Sequence, residues 1–116
     1  TAHKQWYFGK SLDGFTPIGP CIVTADAFAD YPPRLGIRSF VNGEKRQDSN
    51  TALQIFDIDH VIAELSQGMT LKAGTIIATG TPAGVGMGMD PPQFLKPGDV
   101  VRCEIEGIGT LTNPVK

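Results

Sequence analysis

The residues best suited to chemistry lie in a glycine-rich segment that follows a short apolar run. Residues 75–78 are β-branched or small, as in a strand, and the chain continues as Thr79-Gly80-Thr81-Pro82. Glycine lets the backbone turn sharply and approach a ligand closely. Thr81, between a glycine and a proline, would present its hydroxyl and its amide from a stiff turn. Such a group of donors suits a substrate rich in oxygen atoms.

A second candidate is Lys10, which lies far upstream between Gly9 and Ser11. Its small neighbours leave the ammonium group accessible, so that it could supply a positive charge to a site. Full solvation is the competing interpretation for a lone lysine before a turn. Residues 79–88 have a competing interpretation as well, a glycine-rich hairpin of purely structural purpose. They lack the Gly-Lys-Ser/Thr ending of a phosphate-binding loop and the GxGxxG pattern of a dinucleotide site.

Two pairs of carboxylates invite a metal-site interpretation that the local periodicity opposes. In the run 100–105 apolar side chains alternate with polar ones, so Glu104 and Glu106 belong to a polar strand face exposed to solvent. Asp57 and Asp59 precede an amphipathic run, where Asp57 is expected to cap a helix. The sequence therefore predicts no metal ligand within this chain.

Composition narrows the classes of function. The 116 residues include 10 basic and 12 acidic side chains. There is no block of basic residues of the kind that binds nucleic acid. The apolar runs are too short to span a bilayer, and no leader is visible at the first residues. A chain of this length can bury a sizeable core.

The cysteines and histidines do not have the spacing of a metal site or a catalytic site. Cys21 and Cys103 are far apart, which predicts buried free thiols in a reducing, cytoplasmic compartment. His3 is expected to be solvated and His60 to lie at a helix end.

Glycines and prolines punctuate short apolar segments and predict a mainly β fold with one packed helix, in a single domain over residues 1–116. Asn42-Gly43 is a strong hairpin signal. Asp57 as cap, apolar residues at helical spacing and Gly68 as terminator predict a helix over 57–67. The predicted strands cover residues 21–24, 35–41, 44–47, 75–78, 100–105 and 110–115.

Short motifs follow one another along the chain in a familiar order. They are Gly9-Lys10-Ser11, Pro17-x-Gly19-Pro20, Val41-Asn42-Gly43-Glu44, Arg46-Gln47, Asn50-Thr51, Ile55-Phe56, Leu65-Ser66, Thr70-Leu71, Thr79-Gly80-Thr81-Pro82-x-Gly84-Val85-Gly86, Gly98-Asp99 and Glu104-Ile105-Glu106-Gly107-Ile108-Gly109. Together they closely resemble the carboxy-terminal catalytic region of the fumarylacetoacetate hydrolase family. The resemblance covers nearly the whole chain.

The resemblance implies a mixed β-sandwich roll and usually a homodimer. It implies Mg²⁺- or Mn²⁺-assisted hydrolysis, decarboxylation or isomerisation of small 2-oxo acid or 1,3-dicarbonyl substrates. Acylpyruvases, oxaloacetate decarboxylases and 2-hydroxyhepta-2,4-diene-1,7-dioate isomerases of aromatic compound catabolism are such enzymes. Lys10 matches the family lysine that neutralises substrate charge. Thr81 matches the threonine that holds the substrate carboxylate, with Gly80 and Pro82 beside it as substrate-binding residues.

One part of the family pattern does not occur in this chain. In the family a Glu-x-Glu pair and an aspartate upstream of the Gly-Lys-Ser segment hold the metal. We therefore expect the chain to be the carboxy-terminal half of a longer catalytic domain, inactive by itself, with the metal ligands upstream. The alternative is a non-catalytic β-domain that serves structure or assembly.

Overall fold

A computed structural model of the chain describes residues 6–116, so the prediction for His3 lies outside the described residues. The elements are α1 (Trp6–Lys10), β1 (Gly36–Val41), β2 (Glu44–Asn50), α2 (Ile58–Ser66), β3 (Val100–Ile105) and β4 (Gly109–Pro114). Short 3-10 turns lie at Ala25–Ala27, Thr51–Leu53 and Gly86–Gly88. Neither of these two α-helices is long and apolar enough to cross a membrane.

The β1–β2 hairpin forms where Asn42-Gly43 predicts it. Both turn residues have positive φ, 51° at Asn42 and 85° at Gly43, as a type I′ turn requires. The Asn42 side chain also anchors the turn to the neighbouring strand. Its amide donates to Asp99 Oδ1 over 2.8 Å, and its Oδ1 accepts the Val100 N–H over 2.9 Å.

The four strands form one antiparallel sheet in the order β2-β1-β3-β4. Ser39 of β1 stands opposite Cys103 of β3, and Phe40 stands opposite Arg102. Because strand side chains alternate, the first pair lies on the apolar face and the second pair on the polar face. On the polar face the Arg102 guanidinium lies 4.1 Å from the centroid of the Phe40 ring. The register gives β3 the two predicted faces, but the predicted exposure is wrong for Glu104, which is half-buried beside Arg102, whereas Cys103 and Ile105 of the apolar face are exposed.

A β-bulge interrupts the β1–β2 pairing. Ser39 pairs with Gln47, whereas Phe40 pairs with Lys45, so that Arg46 is an extra residue in β2. A bulge bends its strand and redirects a side chain. Here Arg46 Nη1 donates to Met89 Sδ over 2.9 Å and Gln47 Nε2 donates to Thr81 Oγ1 over 2.8 Å. Two consecutive side chains thus reach the long connection between α2 and β3.

Helix α2 begins as predicted. Asp57 is its N-cap, and the side chain accepts the His60 N–H over 2.7 Å. Ile58, Val61 and Leu65 form its half-buried stripe. The helix ends at Ser66, just before Gly68.

Two predicted strands are wrong. Residues 21–24 and 75–78 have irregular backbone and do not join the sheet. Their β-branched residues favour an extended chain, but a strand also needs a neighbour that completes its hydrogen bonds. The run 75–78 has no such neighbour among residues 6–116.

The predicted core is also wrong for the described residues, none of which is fully buried. The apolar sheet face is at most half-buried, and Ile55 is 92% exposed. Both cysteines are free, as predicted, but they are exposed rather than buried. Cys103 is exposed because it lies on this partly covered sheet face.

Candidate active site

Three of the four predicted site residues come together at one cavity. Gly80 turns the chain with φ 107°, and Thr81 and Pro82 follow it beside the end of the hairpin. The cavity measures about 640 Å³. Its walls come from β1, from the end of β2 with the following turn, from α2 and from the glycine-rich segment. They include Ile37, Ser49, Asn50, Thr51, Gln54, Phe56, Val61, Thr79, Gly80, Thr81 and Pro82.

Gln47 connects the sheet to the Thr81 side of this cavity. Its Nε2 donates to Thr81 Oγ1 over 2.8 Å and to the Pro82 carbonyl over 2.9 Å. Its Oε1 accepts the Ser39 hydroxyl over 2.8 Å. Thr81 is exposed, whereas Gln47 and Ser39 are half-buried. The Thr81 hydroxyl is therefore hydrogen-bonded to Gln47 of the sheet on one side and accessible from the cavity on the other.

A second glutamine holds the residue at the start of the turn. Gln54 Nε2 donates to Thr79 Oγ1 over 3.0 Å. The turn that carries Gln54 is itself fixed, because Asn50 Oδ1 accepts the Ala52 N–H and Thr51 Oγ1 donates to the Pro33 carbonyl. Two side-chain amides thus hold the segment 79–82 against two different parts of the fold.

The later glycines of the segment serve packing. A Cβ on Gly84 would lie 2.0 Å from the Arg46 carbonyl oxygen, and one on Gly86 would lie 1.8 Å from that of Gln93. Only glycine allows such an approach. Gly80 differs, since a Cβ there would meet nothing within 4 Å. These contacts support a structural purpose for Gly84 and Gly86, although residues 79–88 do not form the hairpin of that interpretation.

Lys10, the fourth predicted site residue, is the last residue of α1. Its Nζ lies 5.9 Å from the centroid of the Trp6 ring, and the side chain is exposed. It is not among the residues that line the cavity at Thr81. The structure thus brings Gly80, Thr81 and Pro82 together and leaves Lys10 apart from them.

The candidate carboxylates have structural partners. Glu104 lies 3.3 Å from Arg102 on the polar face, and Glu106 Oε2 accepts the Gly36 N–H over 3.0 Å. Asp57 caps α2. Across residues 6–116, no three His, Cys, Asp or Glu side chains are grouped so that they could hold a metal ion. The donor set of the described chain therefore does not fit a divalent cation.

Two aspartates with altered pKa lie away from the cavity. The Asn42 side-chain amide, followed by the Lys96 backbone N–H, lowers the pKa of Asp99. A hydrogen bond from Lys45 is the main cause that lowers the pKa of Asp48, which Arg38 also contacts. Asp99 contacts the hairpin turn through Asn42, and Asp48 contacts Arg38 of β1.

The positioning groups Ser39, Gln47 and Gln54 were not predicted from the sequence. Arg46-Gln47 occurs among the quoted motifs, but its partner Thr81 lies 34 residues further along the chain. The only local signal is the polar character of β2 directly after the hairpin. That signal does not reveal a bulge.

The fold and the glycine-rich site define the class of protein. Residues 1–116 match the family model described as the carboxy-terminal region of fumarylacetoacetate hydrolase. The chain belongs to the fumarylacetoacetate hydrolase family.

Its relatives carry out several reactions. The chain is 51% identical to the mitochondrial oxaloacetate tautomerase fahd2 of Xenopus laevis over 112 residues, 97% of this chain and 35% of the relative. It superposes with TM-score 0.92 and 55% identity on a fumarylacetoacetate hydrolase from Exiguobacterium antarcticum, over 99% of this chain and 41% of that one. This match confirms the predicted fold class, as a mainly antiparallel four-stranded sheet with few helices.

A second similar structure carries ligands. It is the maleylpyruvate hydrolase from Sphingobium in complex with manganese(II) and pyruvate, with TM-score 0.81 and 44% identity over 93% of this chain and 38% of that one. The chain therefore spans between 35% and 41% of the length of these three proteins.

Proposed function

We propose that the cavity at Thr81 binds the carboxylate of a 2-oxo acid or 1,3-dicarbonyl substrate, which the enzyme hydrolyses, decarboxylates or isomerises. The observation that carries this proposal is the Thr81 hydroxyl, exposed at the cavity and held from behind by Gln47. The pyruvate complex of the maleylpyruvate hydrolase and the tautomerase relative support a 2-oxo acid.

These reactions share a chemical demand that a hydroxyl donor can meet. Each passes through an enol or enolate, in which negative charge develops next to a carboxylate. A preorganised hydrogen bond stabilises such charge without reorganisation at the moment of reaction, and losing one donor costs about 3 kcal/mol, roughly a hundredfold in rate. We propose that the exposed Thr81 hydroxyl provides this hydrogen bond.

Lys10 is proposed to supply the positive charge. Its ammonium nitrogen lies 5.9 Å from the centroid of the exposed Trp6 ring. A cation–π contact at an exposed site is worth about 0.5–1 kcal/mol. A substrate carboxylate can therefore draw the side chain away from the ring at little cost.

We further propose that this chain is the carboxy-terminal part of a longer polypeptide, called the intact enzyme below. The lengths of the relatives support this proposal, because the chain spans between 35% and 41% of them. Dependence on Mg²⁺ or Mn²⁺ is part of the same proposal, with ligands upstream of this chain. Loss of turnover after EDTA treatment of the intact enzyme, restored by either ion, tests that dependence.

The test of the proposed function is Thr81→Val in the intact enzyme, with oxaloacetate as substrate. Enol and keto forms differ in ultraviolet absorbance, so the rate of tautomerisation can be followed directly. We expect kcat/KM to fall about a hundredfold, whereas the protein stays folded with a slightly lower melting temperature because the hydrogen bond from Gln47 is lost. Thr112→Val on β4 is the matched control, because Thr112 is also exposed but does not line the cavity. Equal activity of Thr81→Val and wild type would contradict the proposal.

A further inference from the structure

We infer that Gln47 is a positioning residue that turns the Thr81 hydroxyl outward as a hydrogen-bond donor, and so selects ligands that present an acceptor oxygen. This inference rests on the proposed function, because it assumes that Thr81 contacts the substrate. Gln47 has no role among the predictions made from the sequence.

The Pro82 carbonyl determines which way the Gln47 amide points. A carbonyl oxygen only accepts hydrogen bonds, so the end of the Gln47 amide that lies 2.9 Å from it must be the NH₂ group. That same nitrogen lies 2.8 Å from Thr81 Oγ1. The opposite end, Oε1, then accepts the Ser39 hydroxyl at 2.8 Å. Every polar group of the Gln47 side chain is used in one orientation.

This orientation determines the direction of the Thr81 hydroxyl. Because the Gln47 NH₂ group has no lone pair to offer, Thr81 Oγ1 accepts from it and keeps its own hydrogen for another partner. Since Thr81 is exposed at the cavity, a bound ligand can take this hydrogen in place of water. A carboxylate or carbonyl oxygen accepts this hydrogen.

The bulge in β2 makes this arrangement rigid. Gly84 packs so closely on the Arg46 carbonyl that a Cβ would lie 2.0 Å from it. The next residue of β2, Gln47, holds Thr81 and Pro82. The segment therefore touches the bulged strand at two successive residues, which leaves Thr81 little freedom to turn.

A double-mutant cycle tests the inference, with oxalate as a probe that offers only acceptor oxygens at neutral pH. Four forms of the intact enzyme are titrated by calorimetry: wild type, Gln47→Met, Thr81→Val and the double variant. Methionine keeps the size of glutamine but forms no comparable hydrogen bonds. We expect Gln47→Met to weaken oxalate binding roughly tenfold in the wild-type background and hardly at all in the Thr81→Val background.

Gln47→Glu is the second variant, in case Gln47→Met fails to fold. The introduced carboxylate would accept the Thr81 hydrogen and thereby turn the hydroxyl inward. We expect a loss of oxalate affinity in the wild-type background that exceeds its loss in the Thr81→Val background. Gln54→Glu is the control for charge. It places the same negative charge beside Thr79 in the same cavity, and its effect measures how strongly that charge repels the oxalate dianion.

The possible results separate the inference from the proposed function. If wild type binds no oxalate, or if Thr81→Val binds it as wild type does, the proposed role of Thr81 is wrong. If Thr81→Val weakens binding but Gln47→Met has the same effect in both backgrounds, the proposed function stands and the inference is overturned. Loss of the Gln47 effect in the Thr81→Val background supports the inference.

Discussion

The two halves of the glycine-rich segment look alike in sequence and differ in structure. Around Thr81 the chain is held by side-chain amides, and a Cβ on Gly80 would meet open space. Around Gly84 and Gly86 the backbone lies directly against other backbone. The first half presents a functional group to a cavity, whereas the second half fastens the segment to the sheet. Glycine content alone therefore does not separate a binding turn from a packing contact.

The largest effect is expected for Gly84→Ala, which disrupts the packed half. The new methyl group would lie 2.0 Å from the Arg46 carbonyl oxygen, at a residue whose φ is 103°. Steric conflict with backbone and a left-handed conformation together should reduce the free energy of unfolding by at least about 3 kcal/mol. Urea denaturation of the intact enzyme, followed by circular dichroism, measures this loss. A stability equal to that of wild type would show that the second half is not packed as described.

Lys10→Ala should act on chemistry while leaving the fold unchanged. Removing the proposed positive charge is expected to lower turnover of oxaloacetate at least about a hundredfold. The exposed position of Lys10 predicts an unchanged melting temperature. Lys72→Ala, at another exposed turn, serves as the control. If Lys10→Ala turns over oxaloacetate as fast as wild type, the proposed role of Lys10 is wrong.

Gly80→Ala sharpens the comparison with Gly84→Ala. Gly80 also has a left-handed φ, 107°, but a Cβ would meet nothing within 4 Å. Only the strain of placing alanine in a left-handed conformation remains, so the free energy of unfolding should fall by about 1–2 kcal/mol. The same urea denaturation measures it. Equal losses for the two variants would mean that steric contact at Gly84 contributes nothing.

The smallest effect concerns the anchor between the hairpin and β3. Because hydrogen bonds from Asn42 and from the Lys96 N–H lower the pKa of Asp99, its contribution is present above its unfolded pKa and is lost as the pH falls through the lower folded value. Below about pH 4, stability should therefore fall less steeply for Asp99→Asn than for wild type. Urea midpoints between neutral and acidic pH measure this difference. Identical acid dependence would contradict a role for the Asp99 carboxylate.

Local signals explain which parts of the fold were predictable. The hairpin at Asn42, the cap at Asp57 and the alternation in β3 each depend on adjacent residues, and the structure confirms all three. Strand β2 was predicted to end at residue 47 but continues to Asn50, because its charged sequence shows no alternation. The run 75–78 shows the opposite error. Its residues favour a strand, yet pairing depends on a neighbour that a local pattern does not specify.

The turn of the candidate site could be predicted from the sequence, but the side chains that hold this turn could not. Gly80, Thr81 and Pro82 follow from turn chemistry and from the family resemblance, and they line one cavity. The support from Gln47 depends on a bulge that arises only when β1 and β2 pair. Lys10 does not line this cavity, so its role stays a prediction.

The most direct test of the central claim is a crystal structure of the intact enzyme with oxalate. We predict a carboxylate oxygen within hydrogen-bond distance of Thr81 Oγ1, about 2.7 Å, with the Gln47 amide on the other side of the hydroxyl and no contact to Gly84 or Gly86. Oxalate bound elsewhere, with Thr81 free of it, would contradict the assignment of the first half of the segment to binding.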